Sequence, residues 1–163
     1  MENSVVLISV RPEYADKILS GEKKLEFRRQ WAANKVKSLV IYTTSPVQQI
    51  VAVAQIGKVF RGSKDRLWEL AKSGGGGISR RKLFKYMEGK QEGVAIELSR
   101  ITKFSEGINP FMLFGDNFHP PQSFRYLSQV ELNLLARPSA GCAQVLRDNG
   151  WRDVDSCDNN CDE

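Results

Sequence analysis

Short aliphatic and β-branched runs, each closed by turn residues, constrain this chain more than anything else in it. Val5–Val10 is a continuous run of the kind that forms a buried strand. Ser38–Thr44, with Leu39, Val40, Ile41 and Tyr42, reads as another and is broken by Ser45-Pro46. Gln49–Phe60 is a longer one in which Gly57 marks a candidate bulge. Gly93–Ile101 alternates Val94, Ile96 and Leu98 against Ala95, Glu97 and Ser99. In Lys24–Arg28, Leu25 and Phe27 alternate with Lys24, Glu26 and Arg28, the period of two expected of a half-buried strand.

Helical spacing appears between these runs. Pro12–Leu19 places Tyr14, Ala15, Ile18 and Leu19 on one face, and Ser20-Gly21 ends it. Ser63 caps a helix over Lys64–Lys72, and Ser79 caps another running to about Glu88 and closed by Gly89. Pro110, Pro120 and Pro121 punctuate a loop-rich stretch, with Gln122–Leu127 and Val130–Leu135 as a final turn and strand or helix. Strands with inserted helices and no β-α-β rhythm predict an α+β, mostly β fold: a small barrel of about five to six strands with peripheral helices. The expected domain is 1–138, followed by an extension, 139–163, ending in an acidic and partly disordered tail.

No apolar run reaches the length of a membrane span, and Met1–Ser4 lacks the basic start of a signal peptide. The expected location is therefore cytoplasmic. Cys142, Cys157 and Cys161 all fall late in the chain and are odd in number, which points to free thiols. Cys157 and Cys161 lack further ligands at structural-zinc spacing, so no metal and no cofactor are expected. Charge is unevenly shared. Residues 1–103 hold 20 Lys and Arg against 10 Asp and Glu, and residues 104–163 hold 4 against 9. A basic body with an acidic end favours a polyanionic partner, RNA or a nucleotide first, and leaves any protein partner undetermined.

The candidate site lies in Gly21–Arg29. If Leu25 and Phe27 face a core, Lys24, Glu26 and Arg28 share the opposite face, with Lys23 where the turn becomes strand. Alternation is equally compatible with a solvated strand face. Lys23 and Arg28 offer donors to a phosphate or a base edge, and Glu26 could accept from an exocyclic amine. Arg29 and Trp31 adjoin them, and Thr43, Thr44 and Ser45 are placed at a cleft mouth. Phe27 and Tyr42 read as core. Arg80, Arg81, Lys82 and Lys85 make one helix strongly basic, a candidate nucleic-acid surface. Gly74–Gly77 lacks the Gly-Lys-Ser/Thr of a phosphate loop and reads as a hinge between helices. His119, the only histidine, stands before Pro120-Pro121 in a loop and reads as solvent-facing, and Glu97 as a surface strand residue.

Gly21-x-Lys23-x-x-Glu26-x-Arg28 resembles the G-x-K-x-x-E-x-R signature of ASCH domains, part of the PUA-like superfamily. The strand and helix before it, Ile41-Tyr42 and Ser45-Pro46, Ile50–Ile56, Gly93–Leu98 and Pro120–Leu127 extend the resemblance over about Val5–Leu135. It implies a pseudo-barrel with a cleft beside the first helix, lined by Lys23, Glu26 and Arg28. It also implies RNA or nucleotide binding, or else hydrolysis, as in amidohydrolases acting on N4-acetylcytidine or in ribonucleases. In the latter case Lys23 and Glu26 are the catalytic candidates. The amidohydrolases carry a threonine nucleophile where this chain has Glu26, so that mechanism does not transfer.

Overall fold

The computed structural model describes residues 4–32 and 35–137. Six strands and five helices follow in the order β1 (Ser4–Val10), α1 (Pro12–Ser20), β2 (Leu25–Arg28), β3 (Val36–Thr43), β4 (Gln49–Gly62), α2 (Lys64–Gly74), α3 (Arg80–Tyr86), β5 (Gly93–Ile108), α4 (Pro110–Phe114), β6 (Phe124–Tyr126) and α5 (Gln129–Ala136). The strands form one curled half-barrel sheet in the order β2-β5-β4-β3-β1-β6. The extension expected over 139–163, with its three cysteines, lies outside the described residues.

The runs are uniformly apolar because both faces of the sheet are covered. On the inner face Val6, Ile8 and Val10 of β1, Leu39 and Ile41 of β3 and Val94, Ile96 and Leu98 of β5 pack beneath Ala15 and Ile18 of α1. On the outer face Val5, Leu7, Val40 and Tyr42 pack with Phe104, Phe118 and the α5 residues Leu132 and Leu135. A third cluster joins Leu25 and Phe27 of β2 to Leu67 and Ala71 of α2 and to Leu83 and Met87 of α3. Phe27 and Tyr42 are core residues, as expected.

β1 and β3 pair in parallel, in register from Val10↔Thr43 back to Val5↔Ser38. This was hidden in the sequence because β2, which lies between α1 and β3 in the chain, leaves for the far edge of the sheet and breaks the β-α-β rhythm. The two longest strands, β4 and β5, pair antiparallel, with register shifts that include one between Ile56 and Val59, across Gly57. Ser63 and Ser79 cap α2 and α3 through their side chains, as anticipated.

Candidate functional site

Local structure delivers Lys23 to the site. Pro12 opens α1, and Gly21 closes it in the left-handed conformation (φ 82°), its N–H donating to the Ile18 carbonyl. The chain then doubles back so that the Lys23 N–H donates to the Lys17 carbonyl. β2 begins two residues later, and its alternation sends Leu25 and Phe27 outward and Glu26 and Arg28 to the inner face.

That face is closed to solvent. Lys23 is 2% exposed, Glu26 7% and Arg28 5%. They form one ionic network: Arg28 Nη2 lies 2.9 Å from Glu26 Oε1, and Lys23 Nζ lies 3.8 Å from Glu26 Oε2. Lys23 Nζ donates to the Gly76 carbonyl at 2.7 Å and stands over the rings of Phe27 (4.9 Å) and Tyr14 (5.3 Å). Burial pulls the Lys23 ammonium below its ordinary range, Glu26 opposes that pull, and Arg28 and Lys17 add to it. Neither of the sequence readings foresaw this depth: the charges are not a solvated strand face, and Lys24 takes no part in the network. Lys24 precedes the strand and is exposed; it helps line a depression of about 600 Å³ with Leu25, Phe60, Leu70 and Glu97 that excludes all three network residues.

Arg28 also closes the sheet. β2 and β6 are its two edges, and no backbone ladder joins them among the described residues. Arg28 Nη2 donates to the Ser9 carbonyl of β1 at 2.9 Å, and Nη1 donates to the Ser123 carbonyl, just before β6, at 3.4 Å. The Ser9 N–H donates to that same Ser123 carbonyl, and Ser9 Oγ donates to the Pro121 carbonyl at 2.6 Å. A planar guanidinium with five donors suits this clasp, which a lysine could not reproduce. Arg28 Nε is nevertheless buried with no partner.

The four glycines form a cover over Lys23. Gly75 and Gly77 adopt left-handed conformations, and a Cβ on Gly77 would stand 2.7 Å from Lys23 Cβ. The Gly75, Gly76 and Gly77 carbonyls accept from the Lys24 N–H, Lys23 Nζ and Lys17 Nζ, respectively. The run does join two helices, and its composition answers close backbone approach to a buried lysine.

The other sequence candidates separate. Thr43, the parallel partner of Val10, shares the inner face, and its hydroxyl is buried without a partner. Thr44 is half-buried, its N–H bonded to the Val10 carbonyl, and Ser45 is exposed before a cis bond to Pro46. Arg29 is exposed and reaches the Tyr86 carbonyl at the end of α3 rather than the network. Trp31 leans against Phe124 with ring centroids 5.0 Å apart. Arg80, Arg81, Lys82 and Lys85 are exposed on α3. Glu97 is half-buried, its carboxylate beside Gly57, and His119 is exposed. The carbonyls of Ser9, Gly76 and Ser123 complete the hydrogen bonding of the network, and no side-chain pattern could have marked them. No group of three or more metal-ligating side chains occurs among the described residues, and no helix among them is long and apolar enough to cross a membrane.

Comparison with known proteins identifies the family. A family model described as the ASCH domain matches residues 8–102, more than half of the chain. A protein of Zymomonas mobilis named ASCH domain-containing ribonuclease is 30% identical over 136 residues, which cover 79% of this chain and 88% of that protein. The crystal structure of ASCH from Zymomonas mobilis matches with a TM-score of 0.73 at 30% identity, covering 80% of this chain and 92% of that one. Solved forms of that protein include one with a tyrosine changed to phenylalanine and one with a serine changed to alanine. A Ureaplasma parvum protein named ATP synthase subunit alpha is 25% identical over 128 residues, a match that spans only 16% of that protein.

Proposed function

The chain belongs to the ASCH domain family, and from that premise we propose that it binds RNA, holding one nucleotide against the inner face built by Lys23, Glu26, Arg28 and Thr43, which is buried and must open locally to admit it. One observation carries the reading: Arg28 Nε and Thr43 Oγ1 are both buried and both without a partner on that face. Native interiors rarely leave such groups unpaired. A phosphate oxygen or a base carbonyl would satisfy Nε, and the hydroxyl can donate or accept. RNA is favoured over other anions by the basic surface of α3 and by the ribonuclease relative.

Cleavage of the bound RNA is the second reading, supported by that relative's name and by Lys23. Burial destabilises the Lys23 ammonium, so it is the group in the network best placed to exchange a proton. Glu26 is held between two cations, which argues against a free carboxylate base of the kind an N4-acetylcytidine hydrolase of this type would need.

The test uses Thr43→Val. Losing an unpaired buried hydroxyl should leave melting unchanged or raise it, while RNA affinity falls about two- to tenfold through the lost hydrogen bond. Arg28→Lys should weaken binding further. Retention of labelled single-stranded RNA, its integrity on a gel, and release of acetate from acetylated cytidine separate binder, ribonuclease and amidohydrolase. Unchanged RNA affinity in both variants would refute the proposed site.

A further inference from the structure

Beyond the buried network, α3 carries a second pattern. At about 100° per residue, Leu83 turns toward α2, Arg80 and Phe84 share one flank, Arg81 and Lys85 form the outer crest, and Lys82 lies on the opposite flank. The contacts agree. The Arg80 guanidinium lies 4.1 Å from the centroid of the Phe84 ring, and Lys64 Nζ lies 5.2 Å from it. Lys82 Nζ is 3.1 Å from a Glu13 carboxylate oxygen and 5.9 Å from the Tyr14 ring. That ring has Lys23 Nζ 5.3 Å from its centroid. Cations and aromatic rings therefore alternate from the outer flank of α3 to the buried lysine.

Cation–ring pairs are common on protein surfaces, so the pattern needs more than their presence. The helix Arg80–Tyr86 contains no acidic residue, and Arg81 and Lys85 have no carboxylate partner among the described residues. This crest is uncompensated positive charge. Tyr14 adds the connection, because it is half-buried and touches a surface cation and the network cation at once. Rings that stack bases, spaced by cations that hold phosphates, are the composition of a single-strand track.

We propose that an RNA strand crosses α3 from Arg80 and Phe84, over Arg81 and Lys85, to Lys82 and Tyr14, at the rim of the buried network. The proposal rests on the RNA reading above. It assigns Phe84 and Tyr14 as stacking residues and makes α3 the source of affinity for a strand, as distinct from a single nucleotide.

The test compares a labelled oligouridylate long enough to cover this face with a uridine dinucleotide, using the full chain. The double variant Arg81→Gln/Lys85→Gln should reduce the slope of log affinity against log salt by about 1.4, two single-strand phosphate contacts at about 0.7 each. Phe84→Ala should weaken the oligonucleotide by at least about fivefold. Neither should alter dinucleotide binding, which Thr43→Val should weaken. The track is overturned if both α3 variants bind the oligonucleotide as the wild type does while Thr43→Val does not. It is equally overturned if the α3 variants lose the dinucleotide to the same extent. Failure of the wild type to bind either RNA would instead overturn the RNA reading on which the track stands.

Discussion

Glu26→Gln tests whether the buried network is held by its one carboxylate. Glu26 faces Arg28 at 2.9 Å and Lys23 at 3.8 Å. At an effective dielectric constant of about 20 those separations correspond to gross attractions of about 6 and about 4 kcal/mol. Desolvation of three charges offsets much of this. Removing the carboxylate removes the attraction but leaves two cations buried, and breaking a buried pair from one side costs about 3–5 kcal/mol. The glutamine oxygen can still accept from Arg28, which favours the lower end of that range. For a chain of this size the melting temperature should fall by roughly 6–20 °C.

The sign of the pH dependence adds a sharper criterion. The folded-state pKa of Lys23 is lowered by burial, and Glu26 is the leading influence holding it up. A lysine with a lowered folded-state pKa binds fewer protons folded than unfolded, so its penalty is fullest below the folded value. Stability then rises with pH toward the ordinary value of 10.5. Without Glu26 the lysine sheds its proton earlier, and part of the variant's deficit is relieved. Urea melts of both proteins between about pH 7 and about pH 10 should show the deficit narrowing. It should not vanish, because Arg28 is still left buried without its carboxylate. A loss below about 1 kcal/mol at neutral pH, or a deficit flat across the range, would refute the account of Glu26 as the counter-charge of the network.

Three further outcomes follow from particular contacts. Gly77→Ala should cost more than the about 1–2 kcal/mol of a left-handed alanine, because the new Cβ meets Lys23. Gly21→Ala has the same backbone strain but open space and should cost only that, so equal losses in thermal melts would rule out the close-approach account of the glycine run. For Glu131, burial pushes the pKa up, but hydrogen bonds from Arg125 and the Ser128 N–H outweigh it and hold the folded value below 4.5. Its contribution, about 0.5–1 kcal/mol for a partly buried pair, is therefore present above that pH and lost as pH falls through the folded value; Glu131→Gln should flatten this part of the acid limb. Glu13→Gln removes the carboxylate beside Lys82 and should tighten RNA binding by up to about fivefold, with weaker binding in an anisotropy titration counting against the track.

What the sequence revealed and what it hid divide along a physical line. Period two in β2 placed Glu26 and Arg28 on one face, and the helix stop at Gly21 set Lys23 near them, because side-chain direction along a strand and after a left-handed cap is a local property. Depth is not local. Glu26 and Arg28 are buried because β2 is an edge strand rolled against β1 and the start of β6, and the groups that receive Arg28 are the carbonyls of Ser9 and Ser123. A carbonyl leaves no mark in a sequence, so neither the clasp nor the parallel β1–β3 pairing was legible. β5 was read as ending at Ile101 because its later half is largely exposed and polar; it continues to Ile108 by pairing with β4. The glycine run was read as a hinge for the same reason: its chemistry depends on a lysine more than 50 residues away. Under the proposed RNA reading, Arg28 has two duties. Arg28 spends Nη1 and Nη2 on joining the sheet edges and keeps Nε unpaired, so any ligand it binds engages a donor already fixed by the fold. Such a site gains rigidity from the clasp, and a ligand at Nε should in turn protect the β2–β1 closure from unfolding.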